Sequence, residues 1–157
     1  MEYILDVEPS DRIHNTNQLS IDFDKRYNQR TGYKPEGLWY SFGKQWIDWC
    51  RCEMPEWIKK YNYQIFIDSD KIIKIETEED FTEFVKNFSV NLNQVPEKRL
   101  IDWSKVCLNY DGIEIANSQN HYNYFWKFRN YNWYNGWDIG SGCVWNLKDV
   151  FGKRLYT

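Results

Sequence analysis

Gly37-Leu38-Trp39-Tyr40-Ser41, followed by Gly43 and then by Trp46, Trp49 and Cys50, is the stretch from which the chain is best read. Side chains alternate along a strand, so Leu38 and Tyr40 take one side and Trp39 and Ser41 the other. Gly43 frees the backbone to turn. From Lys44 to Glu53, Trp46, Ile47, Trp49 and Cys50 recur at helical spacing, and the reading is a short strand running into a helix. Buried aromatics are usually packing, which makes this a core strand and a core helix. The functional reading is an aromatic-walled cleft for a flat ligand, with Gly37 and Gly43 letting backbone approach it.

Outward from that stretch, Tyr3 to Val7 alternates as an opening strand, and Glu8-Pro9-Ser10-Asp11 breaks it. Arg12 to Asn17 is too polar for a core and too short for a helix. Lys25 to Glu36 is a loop. Pro55 opens a second short helix at its first turn. Tyr61 to Ile67 and Lys71 to Glu76 flank the turn Asp68-Ser69-Asp70 and read as a hairpin. Thr77 caps a helix whose buried stripe is Phe81, Phe84, Val85 and Phe88. Leu100 to Trp103 leads into another helix ending near Tyr110. Asp111-Gly112 then turns the chain into the strand Ile113 to Ala116, where Glu114 stands between two isoleucines that ought to be buried. A polar aromatic loop from Asn117 to Asn135 precedes a last core strand, Cys143 to Leu147.

The chain has 157 residues, enough for one domain with a real core. No repeat, linker or low-complexity tail divides it, and the expectation is a single α+β domain over residues 1–157, two small twisted β-sheets forming a cleft flanked by short helices. Aromatics make up 19% of the residues, so some are expected to line a groove. A net charge of −3 argues against binding duplex nucleic acid through its phosphates. No signal peptide or membrane-spanning stretch is visible, which gives the expectation of a soluble, cytoplasmic protein with reduced thiols. Cys50 and Cys52 are too close for a zinc knuckle and no paired His follows, so no metal is expected.

Three polar intrusions remain: His14 with Thr16, Ser41 in the central strand, and Glu114 in a late strand. Their order resembles that of the ADP-ribosyltransferase superfamily, in its poly(ADP-ribose) polymerase and diphtheria-toxin-like branch. There a His-Gly-Thr/Ser-type strand, a Gly-x-Tyr-x-Ser-type strand with a second aromatic beyond it, and a late Glu build the NAD pocket. Ile13-His14-Asn15-Thr16, Gly37-Leu38-Trp39-Tyr40-Ser41 with Trp46 or Trp49, and Asp111-Gly112-Ile113-Glu114-Ile115 would be the counterparts. Asn15 stands in place of a small residue, and Trp39 where Tyr or Phe is common.

The resemblance implies an ADP-ribosyltransferase-like fold and cleavage of the nicotinamide–ribose bond, with NAD as substrate. Glu114 would be catalytic, stabilising the oxocarbenium-like charge that appears on the sugar. Trp39 and one of Trp46 or Trp49 would sandwich the nicotinamide. His14 and Thr16 would hold the adenosine ribose, Gly37 would admit the ligand, and Ser41 would steady the Glu or a ribose. The acceptor of ADP-ribose stays open among a protein side chain, nucleic acid, a small molecule and water.

The alternative is a non-catalytic module whose aromatics bind a nucleotide, a single-stranded nucleic acid or a sugar. The cluster from Tyr122 to Trp137, with Lys127 and Arg129, is its candidate stacking surface. A hydrolase using Asp102 or Glu114, and a protein-interaction surface, are further readings. Were Glu114 structural instead, Arg12 or Lys105 would be its partner.

Overall fold

A computed structural model describes residues 5–91, 99–116, 132–134, 137 and 139–156. They form a mixed α+β fold of two sheets with few helices. In chain order the strands are β1 (Arg12–Thr16), β2 (Thr31–Gly32), β3 (Leu38–Phe42), β4 (Tyr61–Ile67), β5 (Ile72–Lys74), β6 (Ser89–Asn91), β7 (Arg99–Asp102), β8 (Gly112–Ile115), β9 (Ser141–Val144) and β10 (Val150–Leu155). The helices are α1 (Gln45–Glu53), α2 (Glu78–Phe88) and α3 (Trp103–Val106), with 3-10 turns at Pro55–Trp57 and Asn132–Tyr134. One sheet has seven strands in the order β10-β4-β1-β3-β9-β8-β5, and the other has three, β2-β7-β6.

The strand-to-helix reading of 37–53 holds, with Gly43 at a positive φ of 59° between β3 and α1. Thr77 caps α2 in a capping box with Asp80. Other expectations do not hold. Residues 5–7 are not strand, and residues 1–4 of the expected opening strand lie outside the described set. The polar segment around His14 is a strand in the middle of the large sheet, because both its neighbours supply backbone partners. The helix after Asp102 has only four residues. The final stretch gives two strands: β9 pairs with β3 and β8, and β10 pairs with β4.

The expected hairpin of β4 with β5 is not formed. β5 runs parallel to β8, and β4 lies between β10 and β1. In the sheet order β4 and β5 are five inter-strand spacings apart, which is about 24 Å if the sheet were flat. The chain from Ile67 to Ile72 can span at most about 18 Å. The sheet must therefore curl until β5 approaches β4. Ile72 and Ile67 accordingly pack on one cluster with Leu38, Tyr40, Tyr63, Ile65, Val144 and Val150. The connection is pinned at both ends: Asp68 N–H donates to Asp149 O at 2.8 Å, and Asp111 N–H donates to Lys71 O at 2.7 Å.

Register assigns the two faces of this curled sheet. Tyr40 is opposite Gly142, which is opposite Glu114, so these share the inner face with Leu38, Phe42 and Val144. Trp39 is opposite Cys143, which is opposite Ile113, and these share the outer face. On the outer face, Ile113, Ile115 and Cys143 pack against α2, α3 and the small sheet through Phe81, Phe84, Ile101 and Trp103. The space between the sheets is thus filled by core side chains, and the expected cleft between two sheets is corrected to a packed interface. Trp133, Tyr134 and Trp137 of the expected stacking surface are buried in that same core; residues 122–131, 135 and 136 lie outside the described set.

Gly142 is where the inner face is tightest. A Cβ there would lie 2.4 Å from the Tyr40 ring. Gly142→Ala is expected to destabilise the fold by about 1–3 kcal/mol through overpacking, read as a lower urea midpoint at unchanged slope.

Candidate functional site

β1 and β3 pair only at Arg12–Phe42 and Ile13–Ser41. Beyond that, β1 stays paired to β4 as far as Thr16, and β3 stays paired to β9 back to Leu38. The two strands therefore part at His14. Gly43 N–H donates to Asp11 O, so by the two-residue period the Trp39 carbonyl also faces β1. His14 Nδ1 lies 2.5 Å from that carbonyl. A carbonyl only accepts, so Nδ1 carries the proton and donates. The imidazole thus satisfies a backbone group that the broken ladder leaves open.

Two hollows meet at His14. The first has a cavity volume of about 290 Å³, and Ile13, Asn15, Trp39, Ser41, Trp46, Trp57, Trp137, Ile139 and Ser141 line it, together with His14 and Tyr40. Lys34 and Lys59 complete the lining, and among the described residues no carboxylate does. The second hollow, about 650 Å³, is more polar and includes Thr16, Gln18, Asp22, Lys25, Tyr27 and Gly37.

The indoles of the first hollow brace one another. Trp39 meets Trp137 edge-on, with ring centres 5.0 Å apart, and Lys34 Nζ lies 5.4 Å from a Trp39 ring centre. Trp46 stacks on Trp49 at 5.5 Å and on Trp57 at 6.2 Å. Trp49 does not line the hollow; it backs Trp46. Asn15 ties the turn beneath Trp57 to β1: its Nδ2 donates to Lys59 O, and its Oδ1 accepts from Lys59 N–H. The floor carries two hydroxyls from directly opposed residues, Ser41 of β3 and Ser141 of β9. Ser141 Oγ donates to Ile139 O at 3.1 Å. Ser41 Oγ is buried and finds no hydrogen-bond partner among the described residues, nor does Trp137 Nε1.

Of the residues singled out from the sequence, His14, Trp39, Ser41 and Trp46 come together around the first hollow. Thr16 and Gly37 line the second. The glycine at 37 has a structural cause as well: a Cβ there would lie 2.4 Å from Val144 O.

Glu114 lines neither hollow. It is 5% exposed on the inner face, where Arg12 Nε donates to its Oε1 at 2.5 Å and Tyr40 Oη donates to the same oxygen at 2.8 Å. Trp39 and Glu114 are thus on opposite faces of the sheet, and Arg12 is the partner that a structural Glu114 would require. Burial works against the Arg12 charge, but the bond and charge of Glu114 more than offset it and raise its pKa. Burial raises the Tyr40 phenol well above its ordinary value, with Glu114 adding to the effect.

The sequence reading missed Trp57, Trp137, Lys34, Lys59 and Ser141 as lining residues. The signal for Ser141 was its β-pairing with Ser41, which no local pattern reveals. Among the described residues no group of three or more His, Cys, Asp or Glu side chains is placed to hold a metal, and no helix is long and apolar enough to cross a membrane. Compared with protein-family models, with curated proteins and with solved structures, the chain matches none.

Two outcomes follow from these contacts. Removing the Glu114 charge strands a guanidinium whose side chain is only 27% exposed. Glu114→Gln should therefore cost about 2–3 kcal/mol, somewhat under the scale of about 3–5 kcal/mol for a wholly buried pair, and adding Arg12→Met should recover part of it in urea unfolding. Burial lowers the His14 pKa from 6.5, opposed by the bond to Trp39 O. A depressed histidine pKa favours the neutral form on folding, so its share of stability is whole above about pH 6.5 and falls as the pH drops through the folded value. The difference in stability between wild type and His14→Gln should shrink over that acid range.

Proposed function

We propose that this protein is a binding module that receives a single flat ring in the tryptophan-lined hollow beside β3. The observation that carries this reading is the convergence of Trp39, Trp46, Trp57 and Trp137 on one cavity of about 290 Å³ whose floor holds a buried, unpartnered Ser41 hydroxyl. That volume is at the low end for small-molecule sites, suited to one ring and its substituents rather than to a whole dinucleotide. Indoles supply flat apolar faces, and Lys34 and Lys59 favour a ring that carries electron-rich or anionic groups.

A ring seated there should quench indole fluorescence. Trp39→Ala should weaken its binding by about 1–3 kcal/mol, the scale for losing one aromatic stack, in a variant whose circular dichroism shows it folded. Unchanged affinity in that folded variant would remove Trp39 from the site and with it the reading.

NAD-dependent ADP-ribosyl transfer is the second reading, and one observation favours it. His14 lines both hollows, and it stands on the same sheet face as Tyr40 and Glu114 by the register of β1, β3, β9 and β8. Against it stands the use of Glu114 Oε1 by Arg12 and Tyr40, on the face away from Trp39. Nicotinamide release from NAD is the test. Release by wild type that disappears in folded Glu114→Gln supports transfer; NAD left intact with protein, nucleic-acid and small-molecule acceptors ends it.

A further inference from the structure

The binding reading says that a ring enters the tryptophan hollow, and the two hydroxyls at its floor say which edge that ring presents. Resting on that reading, we propose that the ligand is a heterocycle bearing a lactam edge, an N–H beside a C=O as in uracil-type nucleobases, read by Ser41 and Ser141.

Ser41 and Ser141 are directly opposed on β3 and β9, which puts both side chains on the outer face and side by side. Their hydrogen-bonding states differ. Ser141 spends its proton on Ile139 O, so what it has left to offer is acceptor lone pairs. Ser41 has a proton and no partner among the described residues, although it is only 4% exposed. A buried hydroxyl without a partner is costly, and a ligand acceptor would relieve it. The Ser41 oxygen is covered by its surroundings, and rotation about its single side-chain torsion carries it between staggered positions.

One donor next to one acceptor is the complement of an acceptor next to a donor, which is the pattern of a lactam edge. A hydrocarbon ring would leave the Ser41 hydroxyl unmet. A carboxylate edge would place two acceptors before a pair that has one proton left to give. The indoles on either side hold the ring by its faces while the serines hold its edge.

The test uses the full chain with uridine, with 3-methyluridine, which lacks the N–H at that edge, and with benzoate, a flat anion with no lactam. Fluorescence quenching and calorimetry read the binding. Uridine should bind at least about tenfold more tightly than 3-methyluridine. Ser141→Ala, which loses the acceptor for the ring N–H, should weaken uridine about tenfold and leave 3-methyluridine little changed, whereas Ser41→Ala, which loses the donor to the C=O that both ligands carry, should weaken both. Each substitution removes a single oxygen atom, and a melting curve for each variant shows that it is folded. Equal binding of uridine and 3-methyluridine to wild type overturns the lactam edge, as does a folded Ser141→Ala that keeps the discrimination or a folded Ser41→Ala that binds uridine as wild type does. Binding of benzoate alone, with quenching dependent on Trp39, also overturns the lactam edge while leaving the ring-binding reading intact. If none of the three quenches the indoles, the lactam edge falls for these probes, and the ring-binding reading is then judged on its own Trp39 test.

Discussion

Four residues, Asp68 to Lys71, join strands near opposite ends of the seven-stranded sheet, and the remaining architecture follows from that short reach. A flat sheet would set β4 and β5 farther apart than the link can span, so the sheet curls and acquires an inner and an outer face of different character. The inner face becomes a small closed core in which Leu38, Tyr40, Ile65, Val144 and Val150 meet. It is also where Glu114, Arg12 and Tyr40 are sealed together. The outer face cannot close on itself, so it takes its cover from α2, α3 and the small sheet at the β8–β9 end, and from α1 and the Pro55–Trp57 turn at the β1–β3 end. Cover at the first end is complete. At the second it leaves the tryptophan hollow.

The same division explains what could be read from the sequence. The strand Leu38–Phe42, the helix after Gly43 and the capped helix α2 are written in local signals, namely alternation, a positive-φ glycine and a Thr-x-x-Asp cap. Those were legible. The parting of β4 from β5 was not, because Asp68-Ser69-Asp70 looks the same whether it reverses a hairpin or crosses to a distant strand. β1 was passed over for its polarity: Arg12, His14 and Asn15 are polar because each has a tertiary partner, in Glu114, the Trp39 carbonyl and the Lys59 backbone. No single-sequence pattern carries those partners.

Glu114 was rightly marked as an odd residue between Ile113 and Ile115. Its neighbours fill the outer core while it points inward, which is what alternation demands when both faces of a strand are buried. A buried carboxylate needs a cation and a donor, and Arg12 and Tyr40 supply them from strands β1 and β3. The ion pair thereby ties β8 across β9 and β3 to β1, the span over which the sheet must curl. Among the candidate residues this is the one whose chemistry is most fully accounted for by the fold.

His14 has a part that joins the fold to the hollow. Two strands that begin as neighbours and then diverge leave backbone groups without partners, a cost that normally keeps a ladder closed. At β1 and β3 the cost is offset by side chains: His14 donates to the Trp39 carbonyl, and β1 keeps its other edge paired to β4 as far as Thr16. Only because the strands part there do the tryptophan hollow and the polar hollow both reach the same imidazole. Closing the ladder through Tyr40 and Trp39 would draw Asn15 and the Lys59 turn against β3 and fill the space now walled by Trp46 and Trp57. The opening is therefore a property of the strand pairing, with the tryptophans lining a gap that the backbone has already made.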